Sequence, residues 1–193
     1  MLRPFLVSVA LGVVSFGCSG DSPSGPSGTS GTLSLRITDS PFTDAKAVLV
    51  TFSEVTAHRS EESWSKVPFA DSAATSRTCD LKRLEGSAQD LLGSGPLAAG
   101  QYTMVRLVVQ SATIYFDNPS TSATPCASSI TSPQGRSASV TIPSGEVKLN
   151  RGFTLAADTA TTILLDFDGD RSIQETGNGR FTMSPVIGIL SVQ

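Results

Sequence analysis

Apolar and polar residues alternate along most of this chain, and the alternation has a period of two. In residues 32–38, for example, Leu33, Leu35 and Ile37 fall on one face and polar residues on the other, which is the pattern of a half-buried β-strand. About eight or nine such strands predict an all-β protein, an antiparallel β-sandwich of immunoglobulin or transthyretin type. The further runs, separated by turn residues, are 47–58, 64–67, 101–109, 112–116, 137–142, 146–149, 161–168 and 180–192.

Two stretches refine this prediction. Between residues 47 and 58 the apolar parity slips from Phe52 to Val55, and a one-residue slip of this kind predicts a β-bulge near Ser53 and Glu54. Residues 101–109 are apolar on both faces, which predicts a central strand. The run 112–116 is expected to be its hairpin partner.

Prolines and glycines mark the expected breaks. Apolar residues in 80–92 recur at near-helical spacing, so at most one short helix is predicted there, although Gly86 interrupts the pattern. Residues 96–100 predict a turn. Pro185 lies inside the run 180–192; because proline cannot donate to a strand ladder, we expect an edge strand or a bulge there.

The N-terminus has the features of an export signal. Arg3 gives residues 1–17 a positive start, and an apolar stretch of about a dozen residues follows, whereas a membrane-spanning helix needs about 20. Cys18 comes after Ser15 and Gly17, and this context is similar to the lipobox of bacterial lipoproteins. We therefore expect residues 1–17 to be a signal peptide and Cys18 to be lipidated. The alternative is a secreted protein that is cleaved before an unmodified Cys18.

A polar segment separates the cysteine from the predicted strands. Residues 19–31 read SGDSPSGPSGTSG and cannot bury apolar surface, so we interpret 18–31 as the lipidated cysteine and a flexible tether. Residues 32–193 then form one β-sandwich domain with its own core. This organisation predicts a protein of the bacterial cell envelope, lipid-anchored to a membrane and facing the periplasm or the exterior, or otherwise secreted.

The other two cysteines are expected to pair. The chain has three cysteines, and acylation of Cys18 leaves Cys79 and Cys126 for a disulfide in an oxidising compartment. Such a bond would tie down residues 117–135, a stretch rich in Ser, Thr and Pro; a loop of this length is uncommon without a restraint. Two separate buried thiols are the alternative.

The charge of the chain argues against one class of partner. Charged residues make up 16% of the chain, and its net charge of −3 becomes −4 once Arg3 leaves with the signal peptide. The sequence contains no basic run, so nucleic acid is not an expected partner.

Four segments together suggest a family. They are GTLSLRITDSP at 31–41, AVLVTFSEVTAHR at 47–59, LAAGQYTMVRLVV at 97–109 and LLDFDGDRSIQETGNGRFTMSPVIG at 164–188. In this order they resemble the domain of unknown function 4382, whose members are exported bacterial and archaeal proteins, often lipoproteins. The resemblance implies a β-sandwich behind a polar tether and implies no activity.

A group of carboxylates is the sharpest local feature. On an extended strand the first two face the same side, about 6.6–6.8 Å apart, and carboxylate oxygens are ligands that calcium accepts, although the spacing is not that of an EF-hand. The group is therefore a candidate calcium site, and the alternative is the solvent-facing side of a strand. Its members are Asp166, Asp168, Asp170 and Glu175.

No catalytic constellation is recognisable in the sequence. His58 is the only histidine, and the nucleophile-elbow pattern G-x-S-x-G does not occur. Arg106 interrupts an apolar strand and must be paired if it is buried. Trp64, Tyr102 and Tyr115 could stack on a sugar, although core packing is expected for all three.

These observations favour a non-enzymatic envelope lipoprotein that displays a β-sandwich for binding or structural roles. Its expected partners are the membrane, through the N-terminal lipid, and a protein or glycan. No cofactor is expected unless calcium binds. A calcium- or carbohydrate-binding adhesion module and an unrecognised hydrolase are the alternatives; neighbouring carboxylates on one strand rarely flank a sugar ring from opposite sides.

Overall fold

A computed structural model describes residues 29–40, 44–60, 62 and 64–193. Over these residues the chain forms fourteen strands in two sheets, with one 3-10 turn and one short α-helix, so the prediction of an all-β, sandwich-like fold is confirmed. The predicted signal peptide, Cys18 and the tether as far as residue 28 lie outside the described residues. In chain order the elements are β1 (Ser30–Ser40), β2 (Ala47–Arg59), β3 (Trp64–Lys66), β4 (Arg77–Asp80), the 3-10 turn (Leu81–Arg83), β5 (Asp90–Ala98), β6 (Gly100–Tyr115), β7 (Cys126–Ala127), β8 (Ser137–Thr141), β9 (Glu146–Leu149), β10 (Phe153–Leu155), β11 (Ala160–Asp168), α1 (Gly169–Ser172), β12 (Ile173–Gly177), β13 (Arg180–Met183) and β14 (Ile187–Val192).

The smaller sheet has four strands in the order β14-β11-β1-β5. Its two central strands, β1 and β11, run parallel and in register from Thr32 opposite Ala160 to Ser40 opposite Asp168. The β8–β13 pair in the larger sheet is also parallel. The sandwich is therefore not wholly antiparallel as predicted. Parallel pairing is possible for these two pairs because their strands lie far apart in the chain, so no hairpin turn has to join them.

The larger sheet is built around β6. Its main path is β12-β13-β8-β6-β2-β4-β7, with β3 paired to β2. On the side of β6 away from β2, three short strands pair with successive parts of it: β8 with Thr113 to Tyr115, β9 with Val105 to Val108, and β10 with Gly100 to Tyr102. The prediction of a central strand is therefore confirmed.

The apolar parity slips once in β2, between Phe52 and Val55, and once in β6, between Val109 and Ala112, and both slips are bulges. The register of β2 against β6 skips Ser53, which confirms the predicted bulge. A second skip leaves Gln110 between Val109 and Ser111 without a partner in that ladder. Gly100–Tyr115 is consequently one long strand, and the predicted hairpin between 109 and 112 is wrong, because a bulge restores the parity without reversing the chain.

Residues 80–100 differ most from the prediction. Only Leu81–Arg83 is helical, as a single 3-10 turn, and the expected turn at 96–100 is largely the end of β5. This strand has a loop-like composition because Pro68 crosses it closely: a Cβ on Gly93 would come within 2.5 Å of the Pro68 carbonyl oxygen. Since β5 is an edge strand, it also tolerates Pro96.

The predicted strand 180–192 is two strands in different sheets. β13 belongs to the larger sheet and β14 to the edge of the smaller one. Residues 184–186 connect them, and Pro185 lies in this connection, where no ladder needs its missing N–H group.

The core lies between the two sheets, and the alternating residues of both fill it. Phe52 of β2 and Phe167 of β11 meet edge to face across the interior, with ring centroids 6.4 Å apart. Full burial of a side chain of this size contributes about 1.5–3 kcal/mol. The largest fully buried side chains are Tyr102, Phe52, Phe69, Phe167, Leu33, Leu35, Ile37, Leu81, Leu84, Leu92, Leu107 and Ile114.

A disulfide joins Cys79 of β4 to Cys126 of β7, which confirms the predicted pair. The two residues face each other in register, and both are buried. In the chain-entropy description, closing a loop of 47 residues stabilises the fold by about 4 kcal/mol. The bond also fixes the long loop that the sequence predicts between β6 and β8.

Candidate functional site

The parallel pairing of β1 and β11 brings acidic residues to one edge of the smaller sheet. Parallel strands end at the same edge, and here Thr38 lies opposite Asp166 and Ser40 opposite Asp168. The loop after the 3-10 turn adds Glu85, whose backbone pairs with that of Asp39 as an isolated β-bridge. We call this group the acidic edge; its carboxylates are Asp39, Glu85, Asp166 and Asp168.

Asp39 is the most perturbed residue of the acidic edge. Its side chain is 3% exposed, Oδ1 accepts a hydrogen bond from the Gly169 N–H at 3.2 Å, and Oδ2 has no hydrogen-bond partner among the described residues. Burial raises the pKa of Asp39 to about 8; the Gly169 hydrogen bond opposes this rise, and the charges of Glu85 and Asp166 add to it. The carboxyl group therefore carries a proton at neutral pH.

The two carboxylates of β11 have partners within the protein. Asp166 is half-buried and accepts a hydrogen bond from the Ser40 hydroxyl, at 3.2 Å to Oδ1 and 3.0 Å to Oδ2. Asp168 precedes α1, and its Oδ1 accepts a hydrogen bond from the Arg171 N–H at 3.0 Å, which caps the helix. The Arg171 guanidinium lies 3.7 Å from the other oxygen.

The four predicted calcium ligands are not gathered into one group. Asp170 is exposed on α1, and Glu175 is exposed on β12, where its Oε1 accepts a hydrogen bond from the Gly179 N–H at 3.1 Å. Within the part of the chain that the structure describes, no three His, Cys, Asp or Glu side chains converge as a metal ion would need. Asp166 and Asp168 do share an edge, with Asp39 and Glu85 as neighbours.

Sequence reasoning missed Asp39, although a signal was present. Leu33, Leu35, Ile37 and Asp39 share one parity in β1, so the alternation itself points this carboxyl group inward. Glu85 gives no comparable signal, because it follows the 3-10 turn and reaches the site only through the tertiary fold.

Arg106 is paired, as its place in an apolar strand predicts. Its guanidinium lies 2.7 Å from Glu54 and 3.5 Å from Glu146, its Nε donates to the Thr56 hydroxyl at 3.1 Å, and it stacks over the Trp64 ring at 4.5 Å. These contacts cross β2, β6 and β9 on the outer face of the larger sheet.

The remaining aromatic candidates and the histidine contact other side chains of the protein; Tyr102 and Tyr115 are buried, whereas Trp64 and His58 are half-buried. His58 contacts the Trp64 ring and lies 2.9 Å from the Thr103 hydroxyl. Tyr102 is buried against Phe153, and its hydroxyl donates to the Ala98 carbonyl oxygen at 2.8 Å. Tyr115 is buried in a small cluster of its own with Ala47, Leu49 and Ile130.

Charged side chains surround the disulfide. Asp90 accepts a hydrogen bond from the Cys126 N–H at 2.9 Å, and Arg77 donates one to the Cys126 carbonyl oxygen at 3.1 Å. Asp80 is fully buried and accepts from the Val48 N–H at 3.1 Å. Burial raises the pKa of Asp80 and lowers that of Arg77. These three side chains therefore provide hydrogen-bond partners for the N–H and carbonyl groups of Cys126 and for the N–H group of Val48.

A concave region lies at the end of the larger sheet where β6 ends and β8 and β13 begin. We call it the aromatic cleft; it has a volume of about 410 Å³ and is open to solvent. No sequence pattern points to this cleft, because its residues come from three segments far apart in the chain. They are Phe116, Arg136, Ser137, Ala138, Gly179 and Phe181.

The chain was compared with known proteins. A family model described as a domain of unknown function (DUF4382) matches residues 30–185. Neither the curated proteins nor the solved structures give a match. As for membrane crossing, none of the helices formed by the described residues has the length and apolar character that a span requires.

Proposed function

Because the chain belongs to the domain of unknown function 4382 family, which carries no assigned activity, we propose its function from its own residues: it is a lipid-anchored protein of the bacterial envelope that presents a β-sandwich for binding and performs no catalysis. Cys18 would carry the lipid, and residues 19–29 would hold the domain away from the membrane, since Ser30 and Gly31 belong to β1. The first described strand, β1, starts at Ser30, next to the tether.

The buried disulfide is the observation that carries this proposal. Disulfides persist in oxidising compartments outside the cytosol, which agrees with an exported chain. Pairing of Cys79 with Cys126 also leaves Cys18 as the one cysteine of the chain outside that bond. Acylation of Cys18 would account for this third cysteine.

The environment of the carboxylates supports a presenting role over a hydrolytic one. Asp166 and Asp168 accept hydrogen bonds from Ser40 and from the start of α1, so they stabilise the edge of the sheet. The protonated Asp39 is 3% exposed, which limits its contact with any substrate. These features are typical of a structural acidic group.

The experiment is the intact mass and location of the mature chain. The full-length protein is expressed in a bacterial host, and membrane and soluble fractions are separated with and without carbonate washing. We expect the wild type in the membrane fraction, with a mass that begins at Cys18 and includes acyl chains. We expect Cys18→Ser to lose both the acyl mass and the carbonate-resistant attachment.

Ser19→Ala is the matched control, because it changes the neighbouring residue and keeps the thiol. It should behave as the wild type does. A wild-type mature chain without acyl mass would contradict the anchor, and an acylated chain in the C18S variant would show that another residue carries the lipid.

A further inference from the structure

β14 is an edge strand with an open backbone. Among the described residues it pairs only with β11, at the outside of the smaller sheet. The Asp168 N–H donates to the Val186 carbonyl oxygen at 2.9 Å, which marks Val186 as facing β11. Because this direction alternates along an antiparallel ladder, the N–H and carbonyl groups of Ile187 and Ile189 point away from β11. The alternation continues as far as Leu190, which the register with β11 skips.

The strands at the other three ends of the two sheets are protected from pairing, whereas β14 is not. Proteins protect such strands with proline, charge, short length or a covering segment. β5 contains Pro96, and residues 68–70 cross it with two backbone hydrogen bonds. β12 exposes Glu175, and β7 has two residues. Apart from the bulge, residues 186–193 have none of these features, since they contain no proline and no charged side chain.

A groove lies beside this strand, between the edges of the two sheets. We call it the edge groove; it has a volume of about 230 Å³ and is open to solvent. Ile187 and Ile189 form one side and pack against the core, and the buried Leu149 of β9 lies on the other side. An apolar side chain in the groove would therefore extend the core. The lining residues are Lys148, Leu149, Asn150, Arg151, Ile187 and Ile189.

Arg151 gives the edge groove a positive charge that lacks a carboxylate partner. Its guanidinium donates to the outward carbonyl oxygen of Ile189 at 3.2 Å, and among the described residues no carboxylate pairs with it. Glu146 is shared between Lys148, at 2.9 Å, and Arg106, at 3.5 Å. The lining itself contains two cations and no carboxylate, so the groove is electrostatically complementary to an acidic ligand.

We propose that β14 binds an extended, acidic segment of a partner protein as an additional strand. This rests on the proposed function and deepens it, by naming the class of partner that the anchored domain holds. The backbone of an extended peptide matches the row of donors and acceptors along an open strand. Apolar side chains of the peptide would lie beside Ile187 and Ile189.

Arg151 has a defined role in this binding. A peptide N–H takes the place of the guanidinium at the Ile189 carbonyl oxygen, and the released guanidinium binds a carboxylate of the peptide. This exchanges a hydrogen bond to a neutral carbonyl for a stronger one between two charged groups. Acidic peptides should therefore bind more tightly than neutral or basic peptides of the same pattern.

The test measures binding of capped synthetic peptides to the full mature protein, purified in detergent, by fluorescence anisotropy. The three peptides alternate valine with glutamate, with serine or with lysine. We expect the glutamate peptide to bind at least tenfold more tightly than the lysine peptide. A glutamate peptide with a methylated backbone should not bind, because it has no N–H groups to donate to β14.

A covalent version of the experiment detects the same contact when the free peptide binds weakly. The valine–glutamate segment is appended after Gln193, just beyond β14, through a flexible linker of glycine and serine. The linker holds the segment at a millimolar effective concentration. We expect the melting temperature to rise, and to rise more than it does with the valine–lysine segment.

Four variants assign the binding to this strand. Ile189→Pro removes an outward N–H group and leaves the ladder to β11 intact, so it should abolish binding; Leu190→Ser, which removes an exposed side chain, should not change it. Arg151→Gln should weaken the glutamate peptide at least fivefold and leave the serine peptide unchanged. Arg180→Gln is its matched control, because Arg180 is exposed on β13, outside the groove. Melting temperatures check the fold of each variant, and the methylated peptide tests the backbone contact without altering the protein.

The proposal is overturned if the glutamate peptide does not bind and its appended form does not raise the melting temperature. It is also overturned if the lysine or the methylated peptide binds as tightly, or if Arg151→Gln has no effect. A wild-type dimer that Ile189→Pro separates, seen by sedimentation, would show that a second copy occupies β14 and would also overturn it. Each of these results leaves the acylation of Cys18 untouched, because fractionation and mass measure that separately.

Discussion

Replacing Asp39 with asparagine tests whether the buried carboxyl group at the end of β1 carries a proton in the folded protein. Burial raises the pKa of this group from 3.8 to about 8. The unfolded chain loses the proton above about pH 4, whereas the folded chain keeps it until about pH 8. The stability that this proton contributes is therefore complete below about pH 4 and is lost as the pH rises to about 8.

The size of the effect follows from one bound proton. Between these two pKa values the folded state holds one more proton at Asp39 than the unfolded state does. The linked free energy of unfolding falls by about 1.4 kcal/mol per pH unit, or by about 4 kcal/mol from pH 4 to pH 7. The charged groups that act on Asp39 are Glu85, Asp166 and Lys82.

The Asp39→Asn side chain has nearly the same shape and nothing to titrate. Its amide oxygen can still accept the Gly169 N–H, and its amide nitrogen can face the neighbouring carboxylates. We expect the stability of this variant relative to the wild type to rise with pH across the range from 4.5 to 8, because only the wild type must take up a proton on folding.

Urea unfolding at half-unit pH steps from 4.5 to 8.5 measures this difference. Subtracting the wild-type curve from the variant curve cancels the titration of the other groups. Asp170→Asn is the control, because it neutralises an exposed carboxylate of α1 and should run parallel to the wild type. Parallel curves for Asp39→Asn and the wild type would refute the reasoning, since Asp39 would then ionise alike in both states.

Three further results are expected. Reduction of the disulfide, or Cys79→Ala with Cys126→Ala, should lower the free energy of unfolding by about 4 kcal/mol, as measured by urea melts; an unchanged midpoint would contradict the stabilisation expected from closing the loop. Arg106→Met should cost about 1 kcal/mol, because it removes the ion pair with Glu54 and the stack on Trp64; a stabilised variant in the same melts would show that these contacts contribute nothing. Millimolar calcium should not shift the melting temperature, because the four carboxylates suggested by the sequence do not converge; a rise that is reversed by a chelator would contradict this.

Period-two alternation predicts strands well where one face is buried and the other is solvated. β1, β2 and β11 follow this rule, and the sequence pattern predicts all three. Alternation cannot tell a bulge from a hairpin, however, because both change the parity by one residue. Ser53 and Gln110 are both bulge residues, but only the bulge near Ser53 is predicted from the sequence.

Composition misleads where the packing of one segment dictates another. β5 contains Gly93, Gly95 and Pro96, which are turn residues by propensity. They lie in a strand because this segment pairs with β1, and glycine is needed there because a Cβ on Gly93 or Gly95 would come within 2.6 Å of Pro68. Both are long-range contacts that no local pattern reveals. The aromatic cleft was missed for the same reason, since Phe116 and Phe181 meet only after the larger sheet has formed.

Two of the four carboxylates of the acidic edge could be predicted from the sequence. The pair Asp166 and Asp168 was found because both lie on one strand. Asp39 lies beside them because β1 pairs in parallel with β11, and the sequence pattern does not reveal this pairing. The pattern shows only that the Asp39 side chain points inward.

The place of β1 between β5 and β11 has a consequence for the export that we propose. A chain that crosses a membrane from its N-terminus releases β1 first, but the neighbour that completes its ladder ends at Asp168, close to the last residue. Because such long-range pairing is slow and cannot begin early, we expect the emerging polypeptide to stay unfolded and in need of chaperone protection until translocation is nearly finished.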